Sequence, residues 1–247
     1  MHVVAVPCLK DNFAYLLIEG SKAVVVDPSE AEPIKAALAA NSVTLVAIWA
    51  THHHWDHTGG IADLVVAYPG IDVVIGTADA DKVKHITRTV DDGDDVSFGA
   101  LRAKVLHNPG HTLGAVTFLI ENCAFTGDTL FCAGCGRVFE GSPEMMHTSL
   151  MKLAALPPAT KVYCGHEYTA ANLKFAAAVE PANAAVAERA SALQTPSVPS
   201  TMGLECETNP FLRASDPAVI DAMRARGAAG DPVSVFATLR EWKNTFK

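Results

Sequence analysis

Thr51-His52-His53-His54-Trp55-Asp56-His57 is the stretch on which the reading of this chain turns. It follows Val43–Ala50, an almost unbroken apolar run of the kind that forms a strand buried on both faces. It precedes Gly59-Gly60 and a short helical segment, Ile61–Ala67, closed by Pro69-Gly70. Side chains two apart on an extended chain face the same way. His52 and His54 are therefore predicted to share one metal ion, while Asp56 and His57 lie just beyond and can turn to a neighbouring position. The pattern is not the helical HExxH of a zincin.

Working outward, three more polar anchors follow strand-like segments. They are His111 in Asn108–Thr112, Asp128 in Phe125–Asp128 and His166 in Cys164–Tyr168. Ligands delivered from several strand ends can converge on one edge of a sheet. Gly110, Gly127 and Gly165 beside them permit close backbone approach or a strained turn. Five histidines and two aspartates form an N/O ligand set with no required thiolate. That suits zinc, iron or manganese rather than a closed Cys-rich structural site. His52, His54 and His111 are assigned to a first site and Asp56, His57 and His166 to a second, with the two oxygens of Asp128 bridging them.

The competing reading of any single histidine at a strand end is a satisfied polar group. Four metal-capable residues within six positions do not fit it, because burying them unpaired is costly. His53 has the opposite parity from its neighbours and is expected to point away, with no role. His2, His85, His107 and His147 read as ordinary polar positions. Cys132-Ala133-Gly134-Cys135 has redox-motif spacing, but one CxxC without a second pair is weak, and both cysteines read as packing residues.

Val3–Pro7, Phe13–Glu19 and Lys22–Asp27 read as a β-meander, followed by a helix at Glu32–Ala40. Asp72–Ile75, Leu101–His107, Ala115–Ile120, Cys123–Phe125 and Lys161–Cys164 are further strands, with an acidic turn at Asp91–Asp95. Ser142-Pro143-Glu144 starts a helix running to about Leu156. From Thr169 onward strand signals vanish. Helices are predicted at Ala170–Val179, Ala182–Leu193, Pro217–Arg226 and Pro232–Lys243, with a Pro/Ser-rich connector at Thr195–Met202. The chain thus reads as a mixed α/β domain, residues 1–168, and an all-helical one, residues 169–247.

Among 247 residues, 49% are hydrophobic and 19% charged, as in a globule with a substantial core. The net charge of −8 argues against a broad nucleic-acid footprint, so an anionic ligand must be met by a few placed cations. No apolar stretch approaches the ~18 residues of a membrane span. The start lacks the pattern of a signal peptide and the six cysteines lack a secreted framework, so a cytoplasmic setting is expected. A monomer is expected too.

The segment Thr51–His57 resembles the signature of the metallo-β-lactamase superfamily. Further blocks resemble one branch of it, glyoxalase II (hydroxyacylglutathione hydrolase): Gly127–Phe131, Gly134–Arg137, Tyr163–Thr169, Asn172–Ala176, Val198–Thr201 and Asn209–Phe211. The resemblance implies an αββα sandwich with a two-metal site at the sheet edge and a C-terminal helical domain lending substrate contacts. It implies hydrolysis of S-(2-hydroxyacyl)glutathione thioesters, S-D-lactoylglutathione to glutathione and D-lactate, in methylglyoxal removal. A hydroxide shared by the metals attacks the carbonyl, and Asp56, also a ligand, orients it. Glutathione is gripped by Arg137, Tyr168, Arg240 and Lys243; Phe139 stands where relatives often carry a tyrosine. Apart from the resemblance, Arg240 and Lys243 read as a solvated helix face. The rival readings are a mono-iron persulfide dioxygenase of the same superfamily and a non-catalytic metal-binding relative. Both complete ligand sets favour the hydrolase.

Overall fold

In the computed structural model, β1 (His2–Cys8), β2 (Asn12–Glu19) and β3 (Lys22–Val26) form the expected antiparallel meander. The structure describes residues 1–246; Lys247, the last residue of the expected all-helical domain 169–247, lies outside them. β4 (Thr44–Trp49), β5 (Asp72–Gly76) and β6 (Arg88–Val90) then add in parallel, giving a six-stranded sheet in chain order.

A second six-stranded sheet is built from β7 (Asp95–Phe98), β8 (Leu101–His107), β9 (Val116–Ile120) and β10 (Cys123–Gly127). A two-stranded ribbon, β11 (Leu130–Phe131) with β12 (Gly134–Cys135), follows, and β13 (Lys161–Cys164) pairs parallel to β10. The outermost strand is β14, Ser200–Thr201, which pairs antiparallel with β13. β6, β7, β11, β12 and β14 were not expected. They are two to four residues long, too short for alternation to announce them. Of the expected acidic turn, Asp91–Asp94 lies between β6 and β7, and Asp95 opens β7. The connector at Thr195–Met202 ends in β14, so the helical region sends one strand back into the sheet.

The helices are α1 (Ala31–Ala40), α2 (Trp55–Thr58), α3 (Ile61–Ala67), α4 (Pro143–Ala154), α5 (Thr169–Val179), α6 (Ala184–Ser191), α7 (Met202–Thr208), α8 (Pro217–Arg224) and α9 (Pro232–Thr245). α7 was not anticipated. α4, α8 and α9 start as their sequences demand: Ser142, Asp216 and Asp231 accept N-cap hydrogen bonds, and proline occupies the first turn. Among the described residues no helix is long and apolar enough to cross a membrane.

Alternation along β2 and β3 sorts the core into layers. Ala14, Leu16, Ala23 and Val25 pack with Ile34, Leu38 and Leu64 of α1 and α3. Phe13, Tyr15, Leu17, Val24 and Val26 face the other way, onto Val105, Phe118 and Phe125 of the second sheet. The far side of that sheet packs on the later helices, where Leu150 and Val162 join Phe175, Phe211 and Phe236. The order is helix, sheet, sheet, helix, an αββα sandwich, with the parallel strands β3, β4 and β5 buried on both faces.

Phe125 sits at the centre of the sheet interface, fully buried, stacked on Tyr163 at 5.0 Å and 5.5 Å from Tyr15. Phe125→Ala is expected to cost ~3–5 kcal/mol of stability. Urea unfolding with an unchanged m value measures this, and a loss below about 1 kcal/mol would contradict the assignment of Phe125 to the central core.

Candidate metal centre

Every residue of the two expected ligand sets lies in one cluster, at the ends of β4, β10 and β13 and in the loop from β8 to β9 that carries His111. Asp27, at the end of β3, takes a left-handed φ of 51°. From there its carboxylate accepts from the Thr51 N–H at 2.7 Å and from the Thr51 hydroxyl at 2.7 Å, fixing where the chain leaves β4. Gly127, with φ 48°, turns Asp128 into the same space. A side chain at Gly165 would lie 2.4 Å from an Asp128 oxygen and 2.6 Å from His57, so only glycine lets β13 end this close.

In the first set, His52 Nε2 lies 3.1 Å and His111 Nε2 3.0 Å from His54 Nδ1. The outer nitrogens are already committed. His111 Nδ1 donates to the Arg137 carbonyl at 2.8 Å, and His52 Nδ1 meets the Thr51 hydroxyl at 3.0 Å. Burial pushes His52 well below the usual imidazole range, and burial with the neighbouring His111 brings His54 down to about 4. Three neutral imidazoles thus aim lone pairs at one point. One proton on His54 could satisfy one neighbour and not both, whereas a cation satisfies all three.

In the second set, ligand atoms of Asp56, His57 and His166 lie within 4.8 Å of one another. His57 Nδ1 donates to Asp27 at 3.0 Å and His166 Nδ1 to Asp11 at 2.9 Å, leaving both Nε2 atoms facing inward. Asp128 joins the sets: one oxygen lies 3.3 Å from His57 Nε2, the other 3.4 Å from both His111 Nε2 and His166 Nε2. His57 Nε2 and Asp128 Oδ1 are buried without a hydrogen-bond partner.

Burial pulls His57 down, but Asp128 and Asp27 outweigh it and hold the imidazole well above its usual value. Burial likewise opposes His166, and Asp128 with Asp56 raises it to about 10. Burial lifts Asp128, yet His57 and His166 keep it well below the carboxylate range. These are the signatures of donors that need positive charge between them, which protons or a metal cation can supply. The residues fit a metal centre.

Two family models divide the chain: the metallo-beta-lactamase superfamily over residues 10–166 and the hydroxyacylglutathione hydrolase C-terminus over residues 167–246. A hydroxyacylglutathione hydrolase of Vibrio parahaemolyticus is 44% identical over 100% of both chains, and one of Alkalilimnicola ehrlichii 47% identical over 98% of both. The chain belongs to the hydroxyacylglutathione hydrolase family of the metallo-beta-lactamase superfamily. Among solved structures, TTHA1623 in a di-iron-bound form matches with TM-score 0.65 and 29% identity over 86% of this chain and 100% of that one. ETHE1 from Myxococcus xanthus matches with TM-score 0.68 over 96% of this chain and 100% of that one, a likeness of fold at 23% identity.

In this hydroxyacylglutathione hydrolase-family chain the centre opens into a cavity of about 550 Å³ whose wall includes Arg137, Tyr168, Arg240 and Lys243. Arg137 is exposed at the rim and has no acidic partner among the described residues. Tyr168 stacks on His166, rings 4.7 Å apart and 5° from parallel. Phe139, 60% exposed, packs its ring 5.2 Å from His111. Trp55, 70% exposed and also in the wall, carried no sequence signal beyond its place in the cluster.

Arg240 is not on the solvated helix face that its bare sequence context suggested. It is 8% exposed and donates to the Cys135 carbonyl at 2.7 Å, with its guanidinium over Phe211. Lys243 donates to the Ala171 carbonyl at 3.1 Å. Asn172 donates to the Cys132 carbonyl, Asn209 to that of Gly134, and Glu205 accepts from the Ala133 N–H. The later helices therefore clamp the backbone of the β11–β12 ribbon. Sequence reasoning also passed over Asp11 and Asp27, which orient His166 and His57; Asp27 was legible only as a strand-ending acid before Pro28.

Removing one charge-assisted bond of this clamp has a predictable size. Arg240→Ala is expected to lower stability by ~1.5–3 kcal/mol, read from urea midpoints. A variant as stable as the parent would show that the Cys135 contact contributes nothing to the fold.

Proposed function

We propose that this chain hydrolyses the thioester of S-(2-hydroxyacyl)glutathiones, releasing glutathione and a 2-hydroxy acid, with S-D-lactoylglutathione giving D-lactate. The observation that carries the reading is the position of Asp128, shared by both sets at the floor of a cavity whose wall carries three cations in a chain of net charge −8. His52, His54 and His111 would hold one divalent cation and Asp56, His57 and His166 another, with Asp128 between them. We propose zinc; the same N/O donors accept iron or manganese. A pair of such ions supplies a Lewis acid for the carbonyl and lowers the pKa of water to about 7.

Asp56 is the residue proposed to orient the attacking water. Burial alone would raise its carboxyl, but hydrogen bonding to His166 and the charge of His57 hold it at about 2, so it is an acceptor at neutral pH. Asn12 donates to it at 3.2 Å and steadies that orientation. The leaving thiolate has a pKa near ~8.5, so no strong general acid is required of the cavity wall. Glutathione carries two carboxylates, and Arg137, Arg240 and Lys243 are the cations proposed to meet them, with Tyr168 beside them.

In this reading residues 1–168 carry the chemistry and residues from 169 onward supply Arg240 and Lys243. Because one chain supplies the whole cavity wall, we propose that it acts as a monomer. Its free, mostly buried cysteines suit a reducing cytoplasm.

Turnover of S-D-lactoylglutathione, with metal content measured on the same sample, tests the reading. Activity should vanish with a chelator and return with zinc, and His54→Ala should lower kcat by orders of magnitude. Full turnover in chelator-treated, metal-free protein would sink the proposal.

Lys243 gives a separate pH test. Burial first, then the charge of Arg240, brings its ammonium down to about 8. The group is charged below that pH and neutral above it. KM should therefore stay flat up to about pH 8 and rise beyond it, while in Lys243→Met KM is higher at neutral pH and lacks that rise. Parallel KM profiles in the two proteins would remove Lys243 from substrate binding.

A further inference from the structure

Asp79 belongs to neither ligand set, yet it is fully buried in the 3-10 turn Thr77–Lys82 that follows β5. Its carboxylate is surrounded by donors. Oδ2 accepts from the Thr112 hydroxyl at 2.8 Å and the His53 N–H at 3.1 Å, and lies 3.0 Å from His53 Nδ1. Oδ1 accepts from the Gly114 N–H at 3.1 Å and lies 3.6 Å from the Lys82 ammonium. A Cβ on Gly114 would sit 2.6 Å from the Asp79 carboxyl carbon, so this approach needs a residue without a side chain.

Lys82 apart, those donors come from two segments outside the turn. His53 lies between His52 and His54, and Thr112 follows His111. The three imidazoles carried by these segments aim lone pairs at one another across 3.0–3.1 Å. A proton on His54 satisfies only one of these two contacts, so without a cation the set does not hold itself together and the loops must be held by something else. Glu140 adds to the hold, accepting from the Leu113 N–H at 2.9 Å and pairing with Lys82 at 2.9 Å.

His53, Asp79 and Glu140 also have ligand atoms within 4.8 Å of one another. A third cation is not the use of this cluster, because the Lys82 ammonium already lies against both carboxylates.

We propose that Asp79 is a positioning residue for the set His52, His54 and His111, a buried carboxylate that fixes both of its segments before a cation binds. The proposal rests on the reading that this set holds a metal ion. Outer contacts of this kind typically change metal affinity ~10- to 100-fold.

The test is Asp79→Asn. The amide keeps the size of the carboxyl, but its NH2 must face the His53 N–H or the Gly114 N–H, each of which loses its acceptor. Zinc alone is titrated into chelator-treated protein against a chromophoric competitor, and cobalt absorption spectra report the ligand geometry. The variant should bind one of two zinc ions ~10- to 100-fold more weakly, keep the affinity of the other, and show an altered cobalt spectrum. Its kcat should fall at limiting zinc and recover with excess zinc, with KM unchanged.

Equal zinc affinities in variant and parent would overturn the role of Asp79, as would equal weakening of both ions. A parent that takes up no zinc would instead overturn the metal reading itself. Should Asp79→Asn not fold, Thr112→Val removes a single donor from the same carboxylate. A severalfold weakening of one zinc supports the role, and unchanged affinity overturns it.

Discussion

One carboxylate, that of Asp128, stands among three imidazoles from three separate segments, within 3.3–3.4 Å of His57, His111 and His166. A buried cluster of this kind cannot satisfy itself. Its five imidazoles and two carboxylates offer more lone pairs than protons, and solvent does not reach most of them. Positive charge between them is the physical requirement, and the surrounding structure keeps the donors in place for it. Asp27, Asp11 and the Arg137 carbonyl each take the outer nitrogen of one imidazole, leaving the inner one as a donor.

The same requirement accounts for the unusual backbone. Asp27 at φ 51° is a costly turn for a residue with a side chain, Gly127 at φ 48° is one that glycine makes freely, and they aim the carboxylates of Asp27 and Asp128 at the cluster from the ends of β3 and β10. Gly165 brings β13 close enough for His166 to reach Asp128. The two sheets meet over a core centred on Tyr15, Phe118 and Phe125, and that rigidity fixes the strand ends from which the donors project.

The later helices act on the centre through the β11–β12 ribbon. Asn172, Glu205, Asn209 and Arg240 are each spent on ribbon backbone groups. Blocks of sequence that narrow the family are thus, in large part, groups that shape the cavity wall by holding its backbone. Arg240 combines both features: one nitrogen is committed to Cys135 while the side chain lines the cavity beside Lys243.

The residues of the centre were legible because their signal is local. Four donors crowd into six positions after a buried strand, and His111, Asp128 and His166 each follow a strand beside a glycine. The longer elements were legible for the same reason, since apolar alternation, N-caps and prolines act over a few residues. The partners that orient the donors carry no such signal. His166 meets Asp11 across 155 positions, and Arg240 meets Cys135 across 105. Asp79 looks like any acid in a polar turn until Thr112 and Gly114 close over it, and β14 is a strand only because β13 offers it an edge. The sequence by itself determined which chemistry the chain carries, because donor type and strand-end spacing are properties of neighbours. Tertiary structure alone decided how those donors are held, because burial and hydrogen-bond partners exist only once distant segments have met.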